Sequence, residues 1–146
     1  MATCLRLSLP LPPSRANARD HWAARNRKRR DYELTVYHEL RFETILPPEY
    51  IRWATLLQAR IVTKQHAPPE PMFGPARIFA AFFVHNRYDP DNLTALLKWP
   101  IDALVKASLL TNDDAAHVKY DPTPTQTIDR KHRHLELTID DLAHEA

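Results

Sequence analysis

The stretch Ile78-Phe79-Ala80-Ala81-Phe82-Phe83-Val84-His85-Asn86-Arg87-Tyr88-Asp89-Pro90-Asp91-Asn92-Leu93 decides how the rest of the chain is arranged. Its first part, Ile78 to Val84, is short, uninterruptedly apolar and rich in aromatic and β-branched residues, which predicts a buried central strand. Pro90 keeps Asp89 out of the helical region, so the strand should leave in extended backbone. Residues two apart on extended chain point the same way, which predicts that Asp89 and Asp91 present both carboxylates to one side. Asp91 or Asn92 then caps a helix. Like charges this close repel unless a cation lies between them. Capping explains one acid at a helix start, but not a second two residues earlier at a strand end.

The helix that follows carries an apolar face of Leu93, Leu96, Leu97, Ile101, Leu104 and Val105. At about 100° per residue, Asp91, Lys98 and Asp102 return within roughly 20° of one direction. Pro100 interrupts that helix and predicts a kink near Leu96. Lys98 faces the carboxylates and could bridge to a phosphate, whereas Asp102 and Lys106 read as ordinary partners on a solvated helix face. After Leu109-Leu110, the residues Thr111-Asn112-Asp113-Asp114 form a turn before a strand around His117 to Tyr120. His85 and His117, which flank the acidic stretch, read as strand-end or surface histidines.

Outward from this centre, Leu5, Leu7 and Leu9 alternate with Arg6 and Ser8 as a half-buried strand closed by Pro10, Pro12 and Pro13. Residues 14–30 have no apolar period and are expected to form a basic loop or arm. Between Arg15 and Arg30 lie Arg15, Arg19, Arg25, Arg27, Lys28, Arg29 and Arg30 against Asp20 alone, a charge of +6. The chain carries +2 overall, so the remainder is −4. A basic arm beside an acidic body suits a protein that grips phosphate with one part and holds metal with another. His21 or Trp22 is available for stacking on a base.

Asp31 is expected to cap a helix through Leu34, Val36, Tyr37, Leu40 and Arg41 that stops before Pro47-Pro48. Alternation through Leu57, Ala59, Ile61 and Thr63 predicts a strand pairing antiparallel with Ile78–Val84. A proline-rich connection covers 65–75, and His134 to Ile139 closes the chain as a strand. The run Lys131-His132-Arg133-His134 reads as solvated, with a secondary phosphate contact as its functional alternative.

With 146 residues and no linker or repeat, the chain is expected to be one domain, 1–146. It contains one glycine, so a glycine-rich phosphate loop and a nucleotide cofactor are excluded. A single cysteine, Cys4, rules out a cysteine metal cage and an internal disulfide. No apolar run is long enough to span a bilayer, and the first residues lack a signal pattern, so no membrane partner and a cytoplasmic location are expected. No serine or cysteine sits in a recognisable nucleophile arrangement.

At Asp89-Pro90-Asp91-Asn92-Leu93, Lys98, Asp102-Ala103-Leu104 and Asn112-Asp113-Asp114, the chain resembles the RusA family of Holliday-junction endonucleases. Leu9 to Ser14, the basic stretch after it and the closing strand resemble that family too. Two departures stand out: Lys98 lies seven residues after Asp91 rather than closer, and Ser108 occupies a turn where glycine is usual.

The resemblance implies an α+β fold with a small mixed sheet of four to five strands and two main helices, acting as a homodimer. It implies an Mg²⁺-dependent endodeoxyribonuclease, with Mn²⁺ as substitute, that resolves four-way junctions by paired symmetric nicks in recombination and repair. A phage or prophage origin goes with it. Asp89, Asp91 and one of Asp113 and Asp114, with Asp114 favoured, would be the metal ligands, and Lys98 would position the scissile phosphate. Arg87 joins the arm as a DNA contact. The alternatives are a non-cleaving DNA-binding module on the same scaffold and a nuclease for other branched DNA.

Overall fold

Leu7, Leu137 and Ala80 lie abreast across three neighbouring strands, with Leu9, Leu135 and Phe82 on one side of them and Leu5, Ile139 and Ile78 on the other. These three rows are buried and form the floor of the core. The computed structural model describes residues 4–13, 21–42 and 45–142. The strands are β1 (Cys4–Leu9), β2 (Ala76–Val84), β3 (Val118–Tyr120), β4 (Thr125–Ile128) and β5 (His134–Asp141). β5 lies antiparallel between β1 and β2, while β3 and β4 run parallel to β2 along its other side. The fold is therefore α+β with a mixed five-stranded sheet, one strand of which, β4, carries no clear pattern in the sequence.

β1 and β2 alternate strictly. β2 buries Ala76, Ile78, Ala80, Phe82 and Val84 and leaves Arg77, Phe79, Ala81 and Phe83 half-buried. Helices cover the buried face: α1 (Trp22–Phe42), α2 (Pro48–Ala59) and a third helical element broken into α3 (Pro90–Ala95) and α4 (Lys98–Lys106). No helix among the described residues is long and apolar enough to cross a membrane.

The basic stretch is not a loop from Trp22 onward: α1 begins there, and Asp31 lies inside it instead of capping it. The first buried residue of α1 is Tyr32, so its opening turns are helical without an apolar face to betray them. Residues 14–20, with Arg15 and Arg19, lie outside the described residues.

The strand expected over 57–63 is absent. Pro48 at the first helical position and the buried Tyr50, Trp53 and Ala54 at helical spacing build α2 instead. Arg60 closes it in the left-handed conformation (φ 58°), and the Ile61 N–H bonds the Leu56 carbonyl (3.1 Å). The neighbours of β2 are consequently β5, β3 and β4. Among the described residues there are three helical elements rather than two.

The kink expected near Leu96 is a break at Leu96-Leu97 between α3 and α4. Pro100 falls in the first turn of α4, where its missing N–H has no intrahelical partner to lose. All of Leu93, Leu96, Leu97, Ile101 and Leu104 are buried, as the apolar stripe required. α4 is fixed from outside by Glu33 of α1, which accepts from Lys106 Nζ (2.6 Å), and by Trp53 of α2, whose indole N–H donates to the Lys106 carbonyl (2.8 Å).

Ser108 ends α4 at φ 65°. Its N–H bonds the Val105 carbonyl (3.1 Å) and the Leu109 N–H bonds the Leu104 carbonyl (3.0 Å), the paired bonds of a Schellman close. Serine thus holds the positive φ that glycine would adopt without strain. Replacing it, Ser108→Gly, should raise stability by about 1 kcal/mol in a denaturant titration.

Candidate active site

The acidic stretch is positioned from the end of β2. Beyond Val84 the chain turns through His85 to Tyr88, whose backbone is held from both sides by one side chain. Gln126 Oε1 accepts from the Tyr88 N–H (2.9 Å), and Gln126 Nε2 donates to the Tyr88 carbonyl (2.8 Å). Tyr88 also packs against the core. Asp89 is extended (φ −63°, ψ 149°), as Pro90 requires, and its carbonyl accepts the Leu93 N–H (2.9 Å).

The cap is Asp89, not Asp91 or Asn92. Pro90 takes the first helical position and Asp91 lies in the first turn. The expectation that both carboxylates point one way by strand alternation therefore loses its premise, because only Asp89 is extended. Both residues are exposed, and neither carboxylate has a side-chain hydrogen bond or ion pair among the described residues.

Lys98 opens α4, exposed, with Nζ 3.5 Å from Asp102 Oδ2 in an i,i+4 pair. Asp114 is also engaged. Its Oδ1 meets His117 Nδ1 at 2.5 Å and accepts the His117 N–H at 3.1 Å, while its Oδ2 accepts from Asn112 Nδ2 at 3.2 Å. The His117 hydrogen bond is the main reason the Asp114 carboxyl sits below its ordinary pKa. Burial pushes the Tyr120 hydroxyl up to about 12, and the charges of Asp113 and Asp102 add to the rise, so these three residues share one neighbourhood.

β3 enters parallel to β2 with Val118 opposite Ala76. Asp113-Asp114 thus leads in at the Ala76 end of β2, whereas Asp89 follows the Val84 end in sequence and its neighbour Tyr88 is held at Gln126, opposite Phe82. Among the described residues, no group of three or more histidine, cysteine, aspartate or glutamate side chains is placed to hold a metal.

No family model matches the chain, and no curated protein matches it.

The cations flank the acids in sequence and lie on separate elements. Arg25, Arg27, Lys28, Arg29 and Arg30 ride the opening turns of α1, and Trp22 at its tip is 67% exposed. Arg29 Nε, 3.9 Å from Glu33, is buried without a hydrogen-bond partner. Arg87, two residues before Asp89, is exposed. The Gln126 clamp escapes sequence reading entirely: a glutamine in a short polar strand gives no local signal that it will hold a backbone 38 residues away.

His134, at the head of β5, stacks on Phe83 with ring centroids 4.4 Å apart and planes 2° from parallel. Its Nδ1 faces the His132 carbonyl (2.8 Å) and its Nε2 faces Glu136 Oε1 (3.0 Å). Partial burial works to lower its pKa, but the two acceptors outweigh it and hold the imidazole above its ordinary 6.5. A raised folded-state value adds stability that is complete below pH 6.5 and is lost as pH rises through that value. NMR titration should therefore give His134 a midpoint above 6.5, and Glu136→Gln should lower it.

Proposed function

We propose that the chain is a metal-dependent endonuclease for branched DNA, of the kind its likeness to the RusA family implies. The observation that carries this reading is the pair Asp89 and Asp91, two exposed carboxylates without side-chain partners among the described residues, at the exit of the central strand. Exposed acids left unpaired in a chain whose first helix opens with five cations fit a site that meets phosphate through a divalent ion.

Asp89 and Asp91 are hard oxygen donors, which select Mg²⁺ or Mn²⁺ over softer metals. Mg²⁺ commonly takes one or two protein carboxylates and completes its shell with water and substrate oxygens, so the pair suffices without Asp113 or Asp114. The bound ion would supply an activated water and neutralise charge on the phosphate. The chain's own part is positioning. Pro90 and the Gln126 clamp fix the backbone at Asp89, the α1 cations hold the phosphate backbone, and Lys98 stands one helical segment away to meet a neighbouring phosphate. Paired symmetric nicks need two such sites, so the reading carries a homodimer with it.

A second reading, a DNA-binding module that does not cut, is favoured by Asp114 being bonded to His117 and Asn112 and by the lack of a three-donor group among the described residues. Incubating a four-way junction, a flap and a linear duplex with the protein in Mg²⁺ or Mn²⁺ separates the two. The nuclease reading expects cuts in the junction and few in the duplex. Tight binding to all three with none cut would leave only the module.

A further inference from the structure

A second basic cluster lies at the same end of the sheet as Asp89. β4 ends with Ile128 opposite Val84, and β5 starts with His134 opposite Phe83. The turn between them holds Arg130, Lys131, His132 and Arg133, all but His132 cationic side chains and all exposed. Asp129, the one acid in this turn, is occupied by the turn itself. Its Oδ1 accepts the backbone N–H groups of Lys131 and His132, each at 3.1 Å, and its own N–H donates to the Val84 carbonyl (2.8 Å). Those two backbone bonds also hold the Asp129 carboxyl below its ordinary pKa. The turn is therefore a built feature that displays three cations.

Its position relative to the acids follows from the Gln126 clamp. Gln126 grips Tyr88, the residue before Asp89, and stands three residues before Asp129, which follows the end of β4. Three extended residues span roughly 10 Å. Arg87, exposed, adds a fourth cation on the β2 side. Asp89 and Asp91 follow Arg87 in sequence, and Glu136 on β5 is already paired with His134.

We propose that Arg130, Lys131 and Arg133, with Arg87, form a phosphate-binding surface that holds a DNA strand beside Asp89 and Asp91. The inference rests on the nuclease reading and deepens it, because it assigns the turn rather than α1 to the strand that runs past the acids. A cationic turn next to a pair of acids offers a strand phosphates to grip on either side of the point where metal would sit.

The test is fluorescence anisotropy of a labelled four-way DNA junction in EDTA, repeated over a range of NaCl concentrations. It compares wild type, Arg130→Ala/Lys131→Ala/Arg133→Ala, and the control Arg52→Ala/Lys64→Ala on α2 and the loop after it. The turn variant should bind about ten-fold more weakly and lose about 2 to 3 from the log–log salt slope, at roughly 0.9 per phosphate contact, while the control matches wild type. Lys131→Gln alone, which keeps every backbone bond of the turn, should lose about 1 from the slope and covers the case in which the triple variant does not fold. Wild-type affinity and slope in both turn variants, with wild type binding well, would overturn this inference and leave the nuclease reading standing. Failure of wild type to bind any DNA would overturn both.

Discussion

Asp91→Asn should reduce metal-dependent cutting by more than about 100-fold while junction binding in EDTA stays at or above the wild-type level. Outer-shell partners of a metal commonly account for 10- to 100-fold in affinity or activity, so loss of a direct carboxylate should exceed about 100-fold. Binding moves the other way because the substitution removes a negative charge from a surface that has to approach phosphate. Asparagine keeps the size of the side chain and is well tolerated near a helix N-terminus, so the first turn of α3 should persist. Gel-based cutting assays alongside anisotropy read both quantities. Equal loss of binding and cutting would point to misfolding or to a role in DNA contact. Unchanged cutting would remove Asp91 from the site.

Phe82→Ala should destabilise the fold by about 3–5 kcal/mol. Phe82 is fully buried on β2 between Leu135 of β5 and the helical layer, in the row it shares with Leu9. A domain of this size has about 5–15 kcal/mol in total, so the loss is a large part of it and should lower the melting temperature by roughly 10 °C. The site should loosen with it, since Gln126 lies opposite Phe82 in the register and holds Tyr88 from there. Calorimetry checks the first effect. A melting temperature within a degree or two of wild type would mean that this row is not the centre of the core.

The parts of this architecture that the sequence made legible are those governed by local patterns. β2 announced itself through seven consecutive apolar residues, β1 through alternation, and the α3–α4 stripe through its 3.6-residue period. Asp89 kept the extended backbone that Pro90 imposes. The misreadings have equally specific causes. The opening of α1 buries nothing before Tyr32, so periodicity had nothing to register, although alanine, arginine and lysine are good helix formers. In α2, alternation at Leu57, Ala59 and Ile61 competed with the helical spacing of Tyr50, Trp53 and Ala54, and the bulky buried side chains prevailed.

For the candidate site, the extended backbone of Asp89 was legible because Pro90 imposes it, whereas the cap position and the direction of Asp91 were not. Nor was the relation of Asp114 to Asp89 and Asp91. It depends on β3 running parallel to β2 from the Ala76 end, a register no short motif encodes, and on His117 and Asn112 occupying its carboxylate. The Gln126 clamp and the placement of the 130–133 turn at the Val84 end of β2 come from that same kind of pairing between distant segments.

The most direct measurement is nicking of a four-way junction by the wild-type protein in Mg²⁺ or Mn²⁺, followed on a denaturing gel with an EDTA control. The account predicts discrete cuts near the branch point that appear with metal and vanish with EDTA. A junction that is bound but stays intact in both metals would contradict it.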